Sequence, residues 1–272
     1  MAEDSTKPFR IGVALSGGGA RGLAHAGALK ALEEAGYHPD IIAGVSAGSV
    51  AAVLYAAGVK PDRILELFAR SKFSDFCRLK ISGRGILDMT RFRKLITRTI
   101  APVCDIRDLR IPTYVCATDF DNGVPHAFSS GPAAERVVAS CSIPIAFPPV
   151  CIDGTNYVDG GVLHNLPAWA IRDKCQYLIG INCSPQHYTP QSRNSLLDTA
   201  LRSFHMLARA NTIHDLELCD TVISTDDIAD YRVFDLKGIH HCFRAGYEAA
   251  RHAISAADIP PTQQTDIQLT TK

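Results

Sequence analysis

A run of 19 residues without a charged side chain constrains the fold of this chain more than any other feature. Residues 41–59 read IIAGVSAGSVAAVLYAAGV. Their length and apolar character are enough for a transmembrane helix on window hydropathy alone. The run also divides at Ser46 into a short β-type segment and a small-residue helical segment. A membrane helix would have to continue through Gly44, Ser46 and Gly48, so the sequence predicts a buried strand followed by a buried helix.

The residues before this run alternate in the same way. An apolar segment, residues 11–15, ends in three glycines, and residues 20–35 have helix-forming residues with an apolar stripe. The order strand, loop, helix, strand, turn, helix is typical of an α/β protein with a mostly parallel sheet. We expect one domain over residues 10–257. Residues 1–9 are expected to form an N-terminal tail, and the Pro-, Thr- and Gln-rich residues 258–272 a disordered one.

Composition excludes several classes of function. The chain has 272 residues, with 28 Lys and Arg against 28 Asp and Glu. This balance argues against nucleic acid as a partner, because phosphate binding requires a basic excess. Nine cysteines include no Cys-x-x-Cys pair, which disfavours zinc ribbons and iron–sulfur sites and predicts reduced thiols. The first eight residues lack the apolar segment of a signal peptide, so we expect a cytoplasmic protein.

Residues 44–48, Gly-Val-Ser-Ala-Gly, match the pattern Gly-x-Ser-x-Gly. A β-type run precedes Ser46 and a helix follows it, which is the context of a nucleophile elbow. In such a turn the small neighbours permit a strained backbone, and the serine oxygen lies at a helix N-terminus. The alternative is a tight turn in which Ser46 only caps the helix.

Residues 17–22, Gly-Gly-Gly-Ala-Arg-Gly, contain Gly-x-Gly-x-x-Gly after a strand and before a helix. A dinucleotide site would need an acidic residue at the far end of the second strand, but Asp40 precedes that strand. The other use of such a loop is an oxyanion hole, in which unobstructed backbone N–H groups face developing negative charge. Arg21 is expected either to organise the loop, to bind an anionic substrate or to pack across the turn.

A nucleophilic serine needs a base. None of the ten histidines stands in a setting that marks it, although His164 is near Asp159 in sequence. Asp159 ends a predicted strand and is followed by Gly160 and Gly161, which permit a close approach of another group. From the residues alone, Asp159 is equally consistent with a general base and with a turn residue.

Taken in order, the three motifs at 17–22, 44–48 and 159–161 resemble those of the patatin-like phospholipase family. The resemblance is closest to the short bacterial members allied to neuropathy target esterase and covers about residues 11–185. Further similar segments are residues 117–119, 140–149 and 157–167. The motif residues show no departure, although some relatives have Asp-Gly-Ala in place of Asp-Gly-Gly.

The resemblance implies a three-layer α/β/α fold with a mostly parallel central sheet, and a Ser–Asp dyad that works without histidine. Ser46 would be the nucleophile and Asp159 the base, with the backbone amides of Gly17, Gly18 and Gly19 as the oxyanion hole. No metal or cofactor is implied. The implied activity is a lipolytic esterase of phospholipase A or lysophospholipase type, acting on a lipid or acyl-ester substrate.

Two further segments bear on how a lipid would be bound. The Pro-rich apolar residues 143–149 either wall an acyl pocket or pack in the core. Residues 72–87 interleave basic with aromatic and aliphatic side chains. They predict either a lid that makes peripheral contact with a membrane or a solvated cap on the domain.

Three alternatives remain open from the sequence. A conventional α/β-hydrolase would use a Ser-Asp-His triad, with a late histidine from among His240, His241 and His252. A nucleotide-binding protein would use residues 17–22. A catalytically silent interaction protein on the same fold would keep the motifs without the chemistry.

Overall fold

The computed structural model describes residues 7–82, 85–184, 196–228, 231, 236–257 and 259. Almost all of the two predicted tails, residues 1–9 and 258–272, therefore lies outside the described residues. The uncharged run forms the strand Ile41–Val45 and the helix Ala47–Ala56, as predicted. In the described part of the chain, no helix combines the length and the apolarity that a membrane crossing requires.

The described residues contain ten strands and nine α-helices. The strands are β1 (Phe9–Leu15), β2 (Ile41–Val45), β3 (Arg78–Ser82), β4 (Gly85–Asp88), β5 (Thr113–Asp119), β6 (Val124–Phe128), β7 (Val150–Ile152), β8 (Thr155–Asp159), β9 (Cys175–Asn182) and β10 (Thr221–Ser224). The helices are α1 (Leu23–Glu34), α2 (Ala47–Ala56), α3 (Pro61–Ala69), α4 (Phe73–Phe76), α5 (Thr90–Ile100), α6 (Ala133–Ser140), α7 (Leu196–Ala210), α8 (Ile213–Glu217) and α9 (Ile239–Ala256).

Eight strands form one mixed sheet in the order β10-β9-β1-β2-β5-β8-β7, with β6 also paired to β5. The five strands from β10 to β5 are parallel, whereas β6, β7 and β8 join by antiparallel pairs. The strands β3 and β4 form a separate hairpin. A short turn, residues 120–123, connects β5 to the antiparallel β6.

Buried apolar side chains lie on both faces of the sheet. Along β1, Val13 and Leu15 belong to a large cluster that includes residues of α1, α2, α3 and α9. The intervening Ala14 belongs to a second cluster, together with Leu166 and Ile171 from the segment before β9. This alternation is that of a strand covered on both sides. The structure thus confirms the α/β class and the three-layer arrangement.

The register along β5 positions the site. β2 pairs with residues 113–116 of β5, and β8 pairs with residues 117–119, while β6 spans both stretches. Because a strand has only two edges, β2 and β8 must share the edge opposite β6. The carboxyl-terminal ends of β2 and β8 therefore face each other. This brings Val45, the last residue of β2, close to Asp159, the last residue of β8.

Candidate active site

Ser46 occupies the turn between β2 and α2 with φ 51° and ψ −121°. A non-glycine residue at positive φ is strained, and this conformation is the one expected of a nucleophile elbow. The turn requires the glycines beside it. A Cβ on Gly44 would collide with the Gly48 carbonyl, and one on Gly48 would collide with the Leu15 carbonyl. The Gly-x-Ser-x-Gly pattern is thus dictated by backbone packing.

Two hydrogen bonds fix the backbone at the elbow. The Ser46 N–H donates to Ser140 Oγ at 2.8 Å, and that hydroxyl donates to the Cys116 carbonyl at 2.6 Å. The Ser46 carbonyl accepts from Ser49 Oγ at 2.6 Å. Because the backbone carries these bonds, the Ser46 side chain does not cap the helix, and its hydroxyl is left to face the site.

Asp159 ends β8 with a fully buried side chain. Its Oδ1 accepts from the Gly161 N–H at 2.9 Å, whereas Oδ2 has no hydrogen-bond partner among the described residues. Burial raises the pKa of Asp159 to about 7, against the opposing effects of the Gly161 N–H and of the Ser46 hydroxyl. A buried carboxylate oxygen without a partner, next to a serine hydroxyl, is placed where it could accept the proton of that hydroxyl.

The loop at residues 17–22 lies beside Ser46, but its glycines are not equivalent. The Gly17 N–H donates to the Asn165 carbonyl at 2.9 Å, so it is not free to bind an oxyanion. The N–H groups of Gly18 and Gly19 make no hydrogen bond to any described residue. Of the three predicted donors, the structure therefore leaves the N–H groups of Gly18 and Gly19 without an acceptor among the described residues. The buried guanidinium of Arg21 donates from Nε to the Gly18 carbonyl at 3.3 Å, a contact consistent with the predicted loop-organising role.

An apolar cavity of about 140 Å³ opens beside the serine. Gly19 and Ser46 form its polar end, and much of the rest of its wall comes from α2, α3, α4, α5 and the Pro-rich loop. The apolar side chains of this wall include Val50, Ile64, Phe68, Phe76, Met89, Phe92, Ile143, Phe147 and Leu236. Ile143 and Phe147 are buried, so the loop at residues 143–149 lines the cavity and packs in the core at once.

Two cysteines also line this cavity. Cys141 lies near the hydroxyls of Ser46 and Ser49, and Cys77 lies on the wall formed by residues 76–77. Burial raises the pKa of the Cys77 thiol to about 12, and burial together with the nearby Asp159 carboxyl raises the pKa of the Cys141 thiol. Both thiols therefore remain protonated and behave as small apolar groups. No motif in the sequence marks either cysteine as part of the site.

The histidines of the triad alternative lie elsewhere. His240 and His241 line a separate surface pocket with Tyr231, and no described histidine lines the Ser46 cavity or hydrogen-bonds to Ser46. His164 pairs at 2.7 Å with the buried Asp215. His25 lies beneath the glycine loop, where Nε2 donates to the Ser16 carbonyl at 2.7 Å. This geometry disfavours a Ser-Asp-His triad.

The dinucleotide alternative also lacks its acidic residue. Asp40 Oδ2 accepts from the backbone N–H groups of Arg10 and Ile11 at the start of β1, at the opposite end of the strand from the glycine loop. A ribose bound near residues 17–22 would be out of its reach. The loop itself closes into a short 3-10 turn, Gly19–Gly22, before α1 begins.

Residues 72–87 form α4 and most of the β3–β4 hairpin, and Arg84 lies outside the described residues. The segment has two sides. Phe76 and Cys77 are buried against the cavity, whereas Leu79 is 69% exposed. The segment is therefore part of the wall of the site, and its solvent side carries an apolar side chain.

Comparison with known proteins shows which family the sequence resembles. The sequence profile of the patatin-like phospholipase family matches residues 13–171. The chain is 36% identical over 167 residues to a lysophospholipase, nte1, of Aspergillus fumigatus, covering 57% of this chain and 11% of that protein. It is 37% identical over 161 residues to an NTE family protein of Mycobacterium bovis, covering 58% of this chain and 44% of the other. The chain thus spans less than half the length of either relative.

A similar fold occurs in a solved structure, that of VipD from Legionella pneumophila. The TM-score is 0.52 at 14% identity, and the match covers 92% of this chain and 67% of the other. At this identity the likeness concerns the fold alone. The profile match extends over more than half of the chain and includes the elbow, the glycine loop and Asp159. The chain belongs to the patatin-like phospholipase family.

Proposed function

We propose that this protein is a serine acyl hydrolase that cleaves lipid esters with a Ser46–Asp159 dyad. The observation that carries the proposal is the meeting of three features at the end of β2. They are a serine on a strained elbow, a buried carboxyl with a raised pKa, and an apolar cavity that begins at the serine. The Aspergillus relative is named as a lysophospholipase, which supports the same class of substrate.

The first step would be attack of Ser46 Oγ on the ester carbonyl. Asp159 Oδ2 takes the hydroxyl proton as the Oγ–carbon bond forms, because Oδ1 is already held by the Gly161 N–H. An unperturbed carboxylate is too weak a base for this transfer. Burial brings the pKa of Asp159 close to that of an ordinary histidine, so the carboxylate becomes a base suited to neutral pH.

The tetrahedral intermediate carries its negative charge on the former carbonyl oxygen. We assign Gly18 and Gly19 as the donors, since the Gly17 N–H is engaged and the other two are not. Collapse expels the alcohol, which takes the proton from Asp159, and leaves an acyl group on Ser46. Asp159 then removes a proton from water, and the hydroxide releases the fatty acid by the same route in reverse. Removing one such donor typically lowers kcat by about 10²–10³.

The cavity favours a substrate with one acyl chain. The apolar cavity of about 140 Å³ adjoins Ser46, and none of the described residues that line it is an aspartate, glutamate, lysine, arginine or histidine. An acyl chain would bury apolar surface there at about 25 cal/mol per Å². We therefore propose a lysophospholipid or a simple acyl ester as substrate, in preference to a diacyl phospholipid whose second chain would remain outside.

An alkyl fluorophosphonate probe tests the nucleophile directly. Peptide mass spectrometry should locate the phosphonyl group on Ser46 in the wild-type protein, and the Ser46→Ala variant should not be labelled. A silent interaction protein would show no labelling. In parallel, fatty acid release from lysophosphatidylcholine should disappear in both Ser46→Ala and Asp159→Asn. Hydrolysis that survives both substitutions would refute the dyad.

Substitution of His240, His241 and His252 by Ala separates the dyad from a triad. Each variant should keep the wild-type kcat, because none of these side chains lies in the cavity. Loss of activity in one of them, with folding intact, would favour the triad.

A further inference from the structure

We infer that Asn165 and Ser184 are positioning residues that hold the Gly17–Gly18 peptide in the orientation required of an oxyanion hole. The inference rests on the proposed function and extends it to residues that do not touch the substrate. Asn165 belongs to the segment 157–167 that resembles the family, and Ser184 follows β9. Both side chains are buried, with exposures of 2% and 7%.

The two side chains form a directed chain of hydrogen bonds that ends on the loop. Asn165 Nδ2 donates to Ser184 Oγ at 3.0 Å, and Ser184 Oγ donates to the Gly17 carbonyl at 3.1 Å. The amide fixes the direction, because an NH₂ group can only donate and so leaves the serine proton for the carbonyl. The same carbonyl also accepts from Ser16 Oγ at 3.0 Å.

The orientation of that carbonyl decides where the next N–H points. In a planar trans peptide, the C=O of Gly17 and the N–H of Gly18 point in opposite directions. Donors that hold the carbonyl on the Ser184 side therefore direct the Gly18 N–H away from it, where it meets no described acceptor. The N–H of Gly17 is fixed separately by the backbone carbonyl of Asn165.

Asn165 also connects the two halves of the site. Its Oδ1 packs so closely on Gly17 that a Cβ there would collide with it, and it lies 3.0 Å from the position of a Cβ on Gly161. Gly161 supplies the N–H that anchors Asp159. The Asn165 side chain thus lies between the glycine loop at Gly17 and the turn that follows Asp159. Its packing therefore helps to set the distance between the Gly18 N–H and the Asp159 carboxyl.

The test compares three substitutions of Ser184 with a control at Thr113. Thr113 is 3% exposed, and its hydroxyl donates to the Ile111 carbonyl at 2.7 Å, at the opposite end of β5 from the site. Thr113→Val removes one partly buried side chain–backbone hydrogen bond. Ser184→Ala removes the bond to the Gly17 carbonyl and also the acceptor of the Asn165 amide. We expect Ser184→Ala to lower kcat by about 10- to 100-fold with little change in KM, because a small misplacement of a donor suffices. Thr113→Val should keep the wild-type kcat.

A thermal unfolding curve separates loss of folding from loss of positioning. If Ser184→Ala does not fold, Ser184→Cys takes its place. The thiol is similar in size to the hydroxyl but is only a weak donor, so kcat should fall. Ser184→Thr keeps the hydroxyl and should retain it. Retention of kcat by both Ser184→Ala and Ser184→Cys would overturn the inference.

A trifluoromethyl ketone analogue of the substrate supplies a readout that a merely structural role would not change. The ketone forms an anionic tetrahedral adduct with a serine, so in Ser184→Ala its affinity should fall by about the same factor as kcat. The affinity of the parent alcohol, which forms no such adduct, should not change. Equal losses for both ligands would contradict the inference. Failure of the proposed function would look different, since wild-type Ser46 would then not react with the fluorophosphonate. In that case a crystal structure of Ser184→Ala still decides: an unmoved Gly17–Gly18 peptide refutes the positioning role.

Discussion

Replacement of Asp159 by Asn should abolish hydrolysis and yet stabilise the fold. The carboxyl is fully buried, accepts one hydrogen bond and has a pKa of about 7, against a reference value of 3.8. An asparagine side chain has the same shape and keeps an oxygen for the Gly161 N–H. It replaces Oδ2 by an NH₂ group and removes the buried charge, whose desolvation the folded state must bear at neutral pH.

The magnitude follows from the difference between the two pKa values. Between pH 3.8 and 7 the folded state holds a proton on Asp159 that the unfolded state has lost. The free energy of unfolding therefore falls with rising pH in this window, by about 1.4 kcal/mol per unit. Over about three units the loss reaches about 4 kcal/mol and is complete above pH 7. Asp159→Asn avoids it, so the variant should exceed the wild type by up to about 4 kcal/mol at pH 8.

Urea unfolding, followed by circular dichroism at pH 8 and at pH 4, measures this difference. For a chain of this size, 1 kcal/mol corresponds to roughly 2–4 °C in Tm, so thermal melts at pH 8 should show a clear rise. Near pH 4 the two proteins should be almost equally stable. Ser46→Ala is the matched control, since it is equally inactive but keeps the buried carboxyl. A gain that is absent at pH 8, or equal at both pH values, would refute the assignment of a raised pKa to Asp159.

The same titration should appear in catalysis. Only the ionised carboxyl can accept the serine proton, so kcat/KM should fall tenfold per pH unit below pH 7 and level off above it. At pH 5 about 1% of the free enzyme would be active. Fatty acid release from lysophosphatidylcholine, measured chromatographically, gives the profile without interference from a titrating chromophore. A flat profile between pH 5 and 8 would exclude Asp159 as the base.

Three further predictions concern packing and surface. Gly48→Ala should prevent correct folding, because its Cβ would meet the Leu15 carbonyl. The control Gly154→Asn, at φ 87° with open space around it, should fold normally. A cooperative thermal melt like that of the wild type for Gly48→Ala would contradict this prediction. Cys104 and Cys151 are exposed and should react first with Ellman's reagent, leaving hydrolysis intact; early inactivation would place a reactive thiol in the site. Leu79→Asp should reduce vesicle co-sedimentation and hydrolysis of vesicle-bound lysophospholipid without affecting a soluble short-chain ester; equal effects on both substrates would exclude residues 72–87 as a membrane contact.

The sequence predicted the parts of the site that are local in the chain. The elbow at Ser46 follows from a strand, a small-residue turn and a helix within 16 residues, and the structure has this order. The α/β class followed from the same alternation. Asp159 was visible as a strand-end residue before two glycines, but its burial was not. Whether an aspartate at such a position is a base or a turn residue depends on what covers it, and that is decided by segments distant in sequence.

The remaining features depend on contacts between distant segments. Ser184 follows β9, which lies beside β1 only because the sheet order places it there, so no local pattern links it to Gly17. The same is true of the Asn165 carbonyl that engages the Gly17 N–H. A glycine-rich sequence shows that backbone amides are unobstructed by side chains. It does not show which of them are already bonded, and for that reason the sequence overestimated the number of free donors.

The buried carboxyl also explains why a dyad could suffice where other serine hydrolases use three residues. When a histidine accepts the serine proton it becomes a cation, and a further carboxylate is needed to orient and stabilise that cation. When Asp159 accepts the proton it becomes neutral, and a neutral carboxyl is the form that this apolar site favours. The energetic cost then falls on the resting enzyme, in which the ionised Asp159 is poorly solvated. In the proposed mechanism, proton transfer from Ser46 relieves that cost as the oxyanion forms beside Gly18 and Gly19. A third residue would have no cation to stabilise. The burial that raises the pKa of Asp159, and so makes it a stronger base, also lowers the free energy of unfolding at neutral pH.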